Sequence, residues 1–388
     1  MRNIKIGIVA GEASGDLLGS NLIAAVKARI PGVRFIGICG PKMQAQGGES
    51  LYPMDTLSVR GYVEVLRNLK RIFKIRKSLK QYFLNNPPDL FIGIDAPDFN
   101  LGLETRLKAR GIPVLHYVSP SIWAWRKERL HDMKAAADHV LTLFPFEKTL
   151  YDKAGITSTY VGHPLADILP LQGDILQARK TLRLDVASPV IAVLPGSRLA
   201  EIDHLALVFI KAMSEIEARL PGVQFLLPFI NQETRRRFEQ ALSNVDNSPQ
   251  KMYLMFGHAH EAMTAANVVL LASGTASLEA ALIGRPMVIA YKMPRLSWLM
   301  LRHKAYLPWV GLPNILAKET LVPEFLQKAA TPQAIADAVL DYFNDKKTVN
   351  ELKFKFSLIH NELRQGAANR AAGVVEHMLA EATSQCSV

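Results

Sequence analysis

Asp95 and Asp98, in Gly93-Ile94-Asp95-Ala96-Pro97-Asp98-Phe99-Asn100, are two carboxylates at the end of an apolar run. A carboxylate at a strand end, partly shielded from water, suits the removal of a proton from a hydroxyl as that oxygen forms a bond. Asp98 has the better position to cap a helix that starts near Phe99. That leaves Asp95 as the base. Glu12, just past the first apolar run, competes for the role. The plainer alternative is that Asp95 merely ends a strand.

Three small-residue turns follow apolar runs and suit anions. The first is Gly11-Glu12-Ala13-Ser14-Gly15-Asp16, where backbone N–H groups and a helix N-terminus would point outward from Gly11, Ser14 and Gly15. It is neither a dinucleotide fingerprint nor a phosphate loop, since G-x-G-x-x-G and G-x-x-x-x-G-K-[ST] are both absent. It also reads as a tight connection capped by Ser14 or Asp16. The second turn, Gly196-Ser197-Arg198, places an arginine where it can grip a diphosphate with two parallel hydrogen bonds. The third, Ser273-Gly274-Thr275, opens a helix toward a phosphate, and Glu279 lies one turn on, where it could reach a ribose. Capping and a surface carboxylate would explain the third turn as well. Two such turns in one half of the chain favour a nucleotide site.

No metal or cofactor is expected. His258, His260 and Glu261 lack the spacing of a metal site on a helix, and no D-x-D handle for a metal–diphosphate complex is present. Cys39 and Cys386 are too few for a disulfide framework or a cysteine-based zinc site. His116 lies within a strand, where a histidine is more often a satisfied core residue than a catalyst. His163 sits at a domain junction, where it could orient a substrate.

These residues need elements to hold them. Apolar runs predict strands at Lys5–Ala10, Arg34–Cys39, Asp89–Asp95, Val114–Val118 and His139–Phe144, with helices near Gly15–Arg29, Tyr62–Phe83 and Leu101–Arg110. After a turn-rich linker, Gly162–Gly173, the pattern restarts. Further strands are predicted at Val190–Leu194, Gln224–Pro228, Met252–Met255, Val268–Ala272 and Met287–Tyr291, and the chain is helical from about Thr331. The fold class is α/β: two doubly wound Rossmann-like domains, at 1–168 and 169–345, facing each other across a cleft, then helices over 346–388.

The formal charge is +11, from 46 Lys and Arg against 35 Asp and Glu, and predicts an anionic partner. Residues 60–80 carry eight of these cations and one acid. Tyr62, Val65, Leu66, Leu69, Ile72, Phe73, Leu79 and Phe83 form one stripe on that helix, with most of the cations, Arg71 among them, elsewhere. This is the profile of a helix drawn to an anionic membrane surface, although such a stripe also serves to face a sheet. A second basic and bulky stretch, Lys292–Lys304, contains Trp298 and reads as an interfacial patch or a buried helix with snorkelling ends. The motifs of nucleic-acid binders are absent, so nucleic acid is disfavoured. The N-terminus lacks a signal-peptide pattern and no run is long enough to span a bilayer, so the cytoplasm is the expected compartment.

The glycine turn at Gly11 and the Asp95 run resemble one family, the lipid-A-disaccharide synthases of Gram-negative bacteria (glycosyltransferase family 19). So do His116-Tyr117-Val118-Ser119-Pro120-Ser121-Ile122-Trp123-Ala124-Trp125-Arg126, Leu194–Arg198, Ser273–Ala276 and Leu312-Pro313-Asn314, all in the family's order. The resemblance implies a GT-B fold with C-terminal helices crossing back onto an N-terminal domain. It implies inverting, metal-independent transfer from UDP-2,3-diacylglucosamine to 2,3-diacylglucosamine 1-phosphate (lipid X), giving the β-1,6 disaccharide 1-phosphate and UDP. By motif position Asp95 is the base, Arg198 holds the diphosphate and Glu279 the ribose. Ser273 and Thr275 face the phosphates, and Asn314 lies near the UDP. The resemblance also implies a peripheral protein on the cytoplasmic face of the inner membrane, and a homodimer with exchanged C-terminal segments. Other readings are an epimerase or peptidoglycan transferase using UDP-N-acetylglucosamine on the same fold, or a basic membrane- or nucleotide-binding module without activity. The aspartate and tryptophan runs argue against those two enzymes.

Overall fold

A computed structural model of the chain describes residues 4–57, 62–122, 128–294, 298–299 and 306–385. The apolar runs form two all-parallel sheets. Strands buried on both faces read as continuous rather than alternating apolar runs, which is why they are legible in the sequence. The seven strands of the first sheet are β1 (Lys5–Ala10), β2 (Arg34–Ile38), β3 (Gly48–Ser50), β4 (Leu90–Ile94), β5 (Val114–Tyr117), β6 (His139–Thr142) and β7 (Ser158–Tyr160). They lie in the order β3-β2-β1-β4-β5-β6-β7. The second sheet holds β8 (Val190–Leu194), β9 (Gln224–Phe229), β10 (Met252–Phe256), β11 (Val268–Ala272), β12 (Met287–Tyr291) and β13 (Glu324–Leu326), ordered β10-β9-β8-β11-β12-β13. Strand order reverses between β1 and β4 in one sheet and between β8 and β11 in the other. Crevices at such reversals are where open α/β sheets bind ligands.

The chain divides into two units, one of Met1–Asp167 with Leu363–Val388 and one of Ile168–Glu362. In the first, Val9, Ile38, Phe83, Phe91, Leu103 and Val140 belong to one buried core. The C-terminal helix Ala367–Gln385 belongs to this unit and packs on the helix Ala13–Arg29, with Arg29 paired to Glu376 at 3.1 Å. In the second unit, Ile191, Phe209, Phe225, Leu270 and Val288 share the core.

The basic helix Tyr62–Asn85 corrects the single-stripe expectation. Leu79 and Phe83 are fully buried in the core, and Ile75, which the stripe left out, is buried beside them. Ile72 packs partly against the same core. Phe73 is 54% exposed, with the Arg76 guanidinium 4.8 Å from its ring centroid, and Arg71 is exposed. The side chains of Val65, Leu66 and Leu69 lie outside the described ones. Trp298 is partly exposed beside an exposed Leu299, while residues 295–297 and 300–305 lie outside the described residues. Among the described residues no helix is long and apolar enough to cross a membrane.

Candidate active site

In the first unit, the turns after β1 and β4 meet at the reversal of strand order. Val9 pairs with Gly93 and Ala10 with Ile94, which brings Gly11 and Asp95 level at the strand ends. The Asp95 amide donates to the Tyr117 carbonyl at 2.8 Å, the last bond before the chain breaks from the sheet. It then takes left-handed backbone twice in succession, with φ of 50° at Asp95 and 45° at Ala96. Val118, at the end of the neighbouring β5, has φ of 82°, which is costly for a β-branched residue. Such strain persists only where the surroundings impose it, and it concentrates at functional sites.

The Asp95 side chain is half-buried. Burial raises its pKa, the Ala96 amide opposes that by hydrogen bonding, Glu12 raises it further and His116 lowers it. The net direction is upward, as a general base requires. Glu12 precedes the helix Ala13–Arg29 and is exposed, as are Ala13 and Ser14, while Gly11 and Gly15 are buried. Asp16 does not cap its own helix. Its two carboxylate oxygens accept from the Lys42 and Met43 amides, at 3.0 and 2.9 Å, at the start of the next one. Nor does Asp98 cap: it lies inside the first turn of the helix Pro97–Lys108, exposed and paired with Arg129 at 2.6 Å.

Beneath Asp95 lies a polar cluster that sequence reasoning missed. His116 Nδ1 and Glu104 Oε1 are 2.8 Å apart, and neither side chain has any exposure. The Asn100 amide donates to the Asp95 carbonyl at 2.8 Å and to the Ile94 carbonyl at 3.3 Å. Gly93 must be glycine, because a Cβ there would overlap the Glu104 carboxylate. His116 is therefore buried, and among the described residues its Nε2, Glu104 Oε2 and Asn100 Oδ1 find no hydrogen-bond partner of ordinary geometry. The signal available was the i, i+4 spacing of Asn100 and Glu104 on the same helix face as Leu103 and Leu107.

In the second unit, Leu194 pairs with Leu271, so the turns after β8 and β11 are neighbours. The first is built by a carboxylate: Glu201 Oε2 accepts from the Ser197 and Arg198 amides at 2.8 and 3.2 Å. The turn amides of Ser197 and Arg198 are thus directed at Glu201. The Arg198 guanidinium touches Glu201 Oε1 at 3.3 Å, yet its side chain is 78% exposed and points to solvent. Gly196, with φ of 134°, allows this turn, and a Cβ there would collide with Glu201. The second turn is open. Gly274 has φ of 142°, a Cβ added to it would meet nothing within 4 Å, and the helix Thr275–Leu282 begins there without a side-chain cap. The Ser273 hydroxyl donates to the Val310 carbonyl at 3.2 Å. Glu279 Oε2 lies 2.9 Å from His260 Nε2.

Asn314 is fully buried and its amide is engaged within the chain. It donates to the Val322 carbonyl and Glu324 Oε1, at 2.9 and 2.8 Å. Its oxygen accepts from the Leu321 and Val322 amides, at 2.8 and 2.9 Å. Glu324 in turn accepts the Val310 and Gly311 amides, both at 2.9 Å. Asn314 therefore builds the loop that Ser273 touches. His163 is buried, its ring stacked on Phe144 with centroids 5.6 Å apart. Trp123, Trp125 and Arg126 lie outside the described residues.

Comparison with known proteins places this geometry. A family model described as "Lipid-A-disaccharide synthetase" matches residues 6–378. A lipid-A-disaccharide synthase of Methylobacillus flagellatus is 54% identical over 370 residues, 95% of this chain and 98% of that protein. Among solved structures, a putative UDP-N-acetylglucosamine 2-epimerase from Listeria monocytogenes superposes with a TM-score of 0.67 at 13% identity, over 98% of both chains. A glycosyltransferase of kitacinnamycin gives 0.64 at 17% identity, over 97% of this chain and all of that one. At these identities the solved structures speak for the GT-B fold alone.

Proposed function

Because the chain belongs to the lipid-A-disaccharide synthetase family, we propose that it joins UDP-2,3-diacylglucosamine to lipid X, with Asp95 as the base that takes the acceptor's proton. The observation that carries the residue assignment is the half-buried Asp95, held in left-handed backbone where strand order reverses. Burial lifts its pKa from the ordinary carboxylate range, and Glu12 adds to that by charge repulsion. Glu12 itself is exposed, so it supports the base rather than replacing it. In this reading Gly11, Ser14 and Gly15 shape the acceptor side, and Asp98 lies at its rim.

Transfer is a single displacement. The acceptor 6-hydroxyl attacks the anomeric carbon of the donor, UDP leaves from the opposite side, and the proton passes to Asp95. The configuration inverts to the β-1,6 linkage. The departing diphosphate gains negative charge, and the exposed Arg198 fork and the uncapped helix start at Ser273, Gly274 and Thr275 suit it. Those groups take the place of a metal ion. Gly196 and Ser197 hold the Arg198 turn, Glu279 meets the ribose, and Asn314 fixes the neighbouring loop.

The substrates carry acyl chains, so the protein must reach a lipid surface. The cations of the helix Tyr62–Asn85, the exposed Phe73 and the stretch around Trp298 suit the anionic cytoplasmic face of the inner membrane. The helix Ala367–Gln385 lies on Ala13–Arg29 of its own chain, and we propose that a homodimer makes the same contact by exchanging C-terminal segments.

The test is direct. Purified protein in detergent micelles with EDTA, given UDP-2,3-diacylglucosamine and radiolabelled lipid X, should yield labelled disaccharide 1-phosphate. Absence of that product, with the protein folded and binding UDP, would contradict the proposal.

A further inference from the structure

The polar cluster under Asp95 is expensive for a core. A carboxylate and an imidazole with no exposure, each with one polar atom unpartnered among the described residues, stabilise a fold less than apolar side chains of the same size. Its placement indicates another use. Gly93 has no side chain because Glu104 occupies that space, and in the β4–β5 pairing His116 is the residue opposite Gly93. Asn100, one turn before Glu104, grips the carbonyls of Ile94 and Asp95. Each member thus touches the strand that delivers Asp95, or the left-handed turn that displays it.

Resting on the reading of Asp95 as the base, we infer that Glu104, His116 and Asn100 form its positioning device: Asn100 fixes the backbone of the Asp95 turn, and Glu104 holds the His116 ring on the strand beside the one that delivers Asp95. They are positioning residues and touch no substrate. Burial alone would push the His116 pKa down. The charge and hydrogen bond of Glu104, with further contributions from Asp95 and the Val118 backbone, outweigh it and leave the imidazole above its ordinary value. The charged groups that bear on the cluster are Glu12 after β1, Asp95 after β4, His116 on β5 and Glu104 on the helix Pro97–Lys108. Farther out, Asp98 pairs with Arg129, while Arg76 donates to the Asp98 carbonyl and faces Arg106. Burial and Glu12 raise the Asp95 pKa, and His116 works against them without reversing the direction. The pair therefore bears on the pH at which the base becomes available.

The experiment is the pH profile of kcat/KM for the full chain, in wild type, Glu104→Gln, His116→Gln and the double variant. The double variant removes both charges at once, so no unpaired charge is left in the core to unfold it. Circular dichroism and UDP binding report on folding. Losing the His116 ring moves the acid limb to higher pH. The high-pH plateau stays within several-fold of wild type and UDP affinity is unchanged. Glu104→Gln, which frees the His116 ring from its partner, shifts the limb in the same direction. A purely structural pair would lower activity evenly across pH, and a limb that stays in place in the folded double variant overturns the inference. Asp95→Asn, run beside them, separates the two ideas. If it retains wild-type turnover, the reading of Asp95 as base fails, whatever the limb does.

Discussion

Gly11 and Ala96 are fitted to each other: a Cβ added at Gly11 would stand 2.7 Å from the Ala96 methyl. The glycine turn after β1 and the strained turn after β4 are therefore one packed unit, carrying Glu12 on one side and Asp95 on the other.

Gly11→Ala should then damage chemistry more than folding. Overpacking of this kind costs ~1–3 kcal/mol, and the strained Asp95–Ala96 turn is the part most able to give way. We expect kcat to fall more than about tenfold, since small misplacements of a reacting group are costly. UDP affinity should be unchanged, because the residues proposed to hold the nucleotide are in the other unit. Steady-state kinetics and calorimetric titration with UDP check both halves, and wild-type kcat would show that the two turns are not coupled.

Arg198 leads to a binding prediction. Its guanidinium is held only lightly by Glu201 and is mostly exposed. Arg198→Ala should weaken UDP binding by about tenfold to a hundredfold, the scale of charge-assisted hydrogen bonds. Arg198→Lys should recover only part of that, because an ammonium lacks the planar fork. An unchanged Kd in the alanine variant would remove Arg198 from the nucleotide site.

His260 and Glu279 give a pH prediction. The hydrogen bond that His260 donates to Glu279 raises the His260 pKa, partial burial opposes it, and the charges of Glu279 and Glu261 add to the rise. A histidine whose pKa is raised by folding contributes stability that is fully present below its ordinary value of 6.5 and fades as pH climbs through the raised one. His260→Gln should therefore lower Tm more at pH 6 than at pH 8.5. The difference should be only about 1–2 °C, because the pair is partly exposed. Equal losses at both pH values would show that the pair does not titrate in this range.

What is legible in the sequence follows its physics. β1, β8, β11 and β12 are predicted at their observed ends, because continuous apolar runs bounded by turn residues mark doubly buried strands. β3, β7 and β13 are missed. Gly48–Ser50 and its like are three residues long and are defined by the strand they pair with, not by any pattern of their own. In the site, Asp95 and Glu12 stand out because strand ends are where ligands bind. Glu104 and Glu201 do not, since a charged residue on a helix reads as surface until its docking partner is known. Glu201 does leave a trace, three residues after Arg198 in capping-box spacing. Asp16 leaves none, because the helix it caps begins 25 residues further along the chain.

The central claim is that Asp95 takes the acceptor's proton, and turnover of Asp95→Asn tests it most directly. Asparagine keeps the size and the polar contacts but cannot accept a proton at working pH. With Asp95 as the base, kcat falls by about 10²-fold or more at saturating substrates, with UDP affinity and fold intact. A kcat within a few-fold of wild type would contradict it and move the proton to another acceptor, with Glu12 the first to examine.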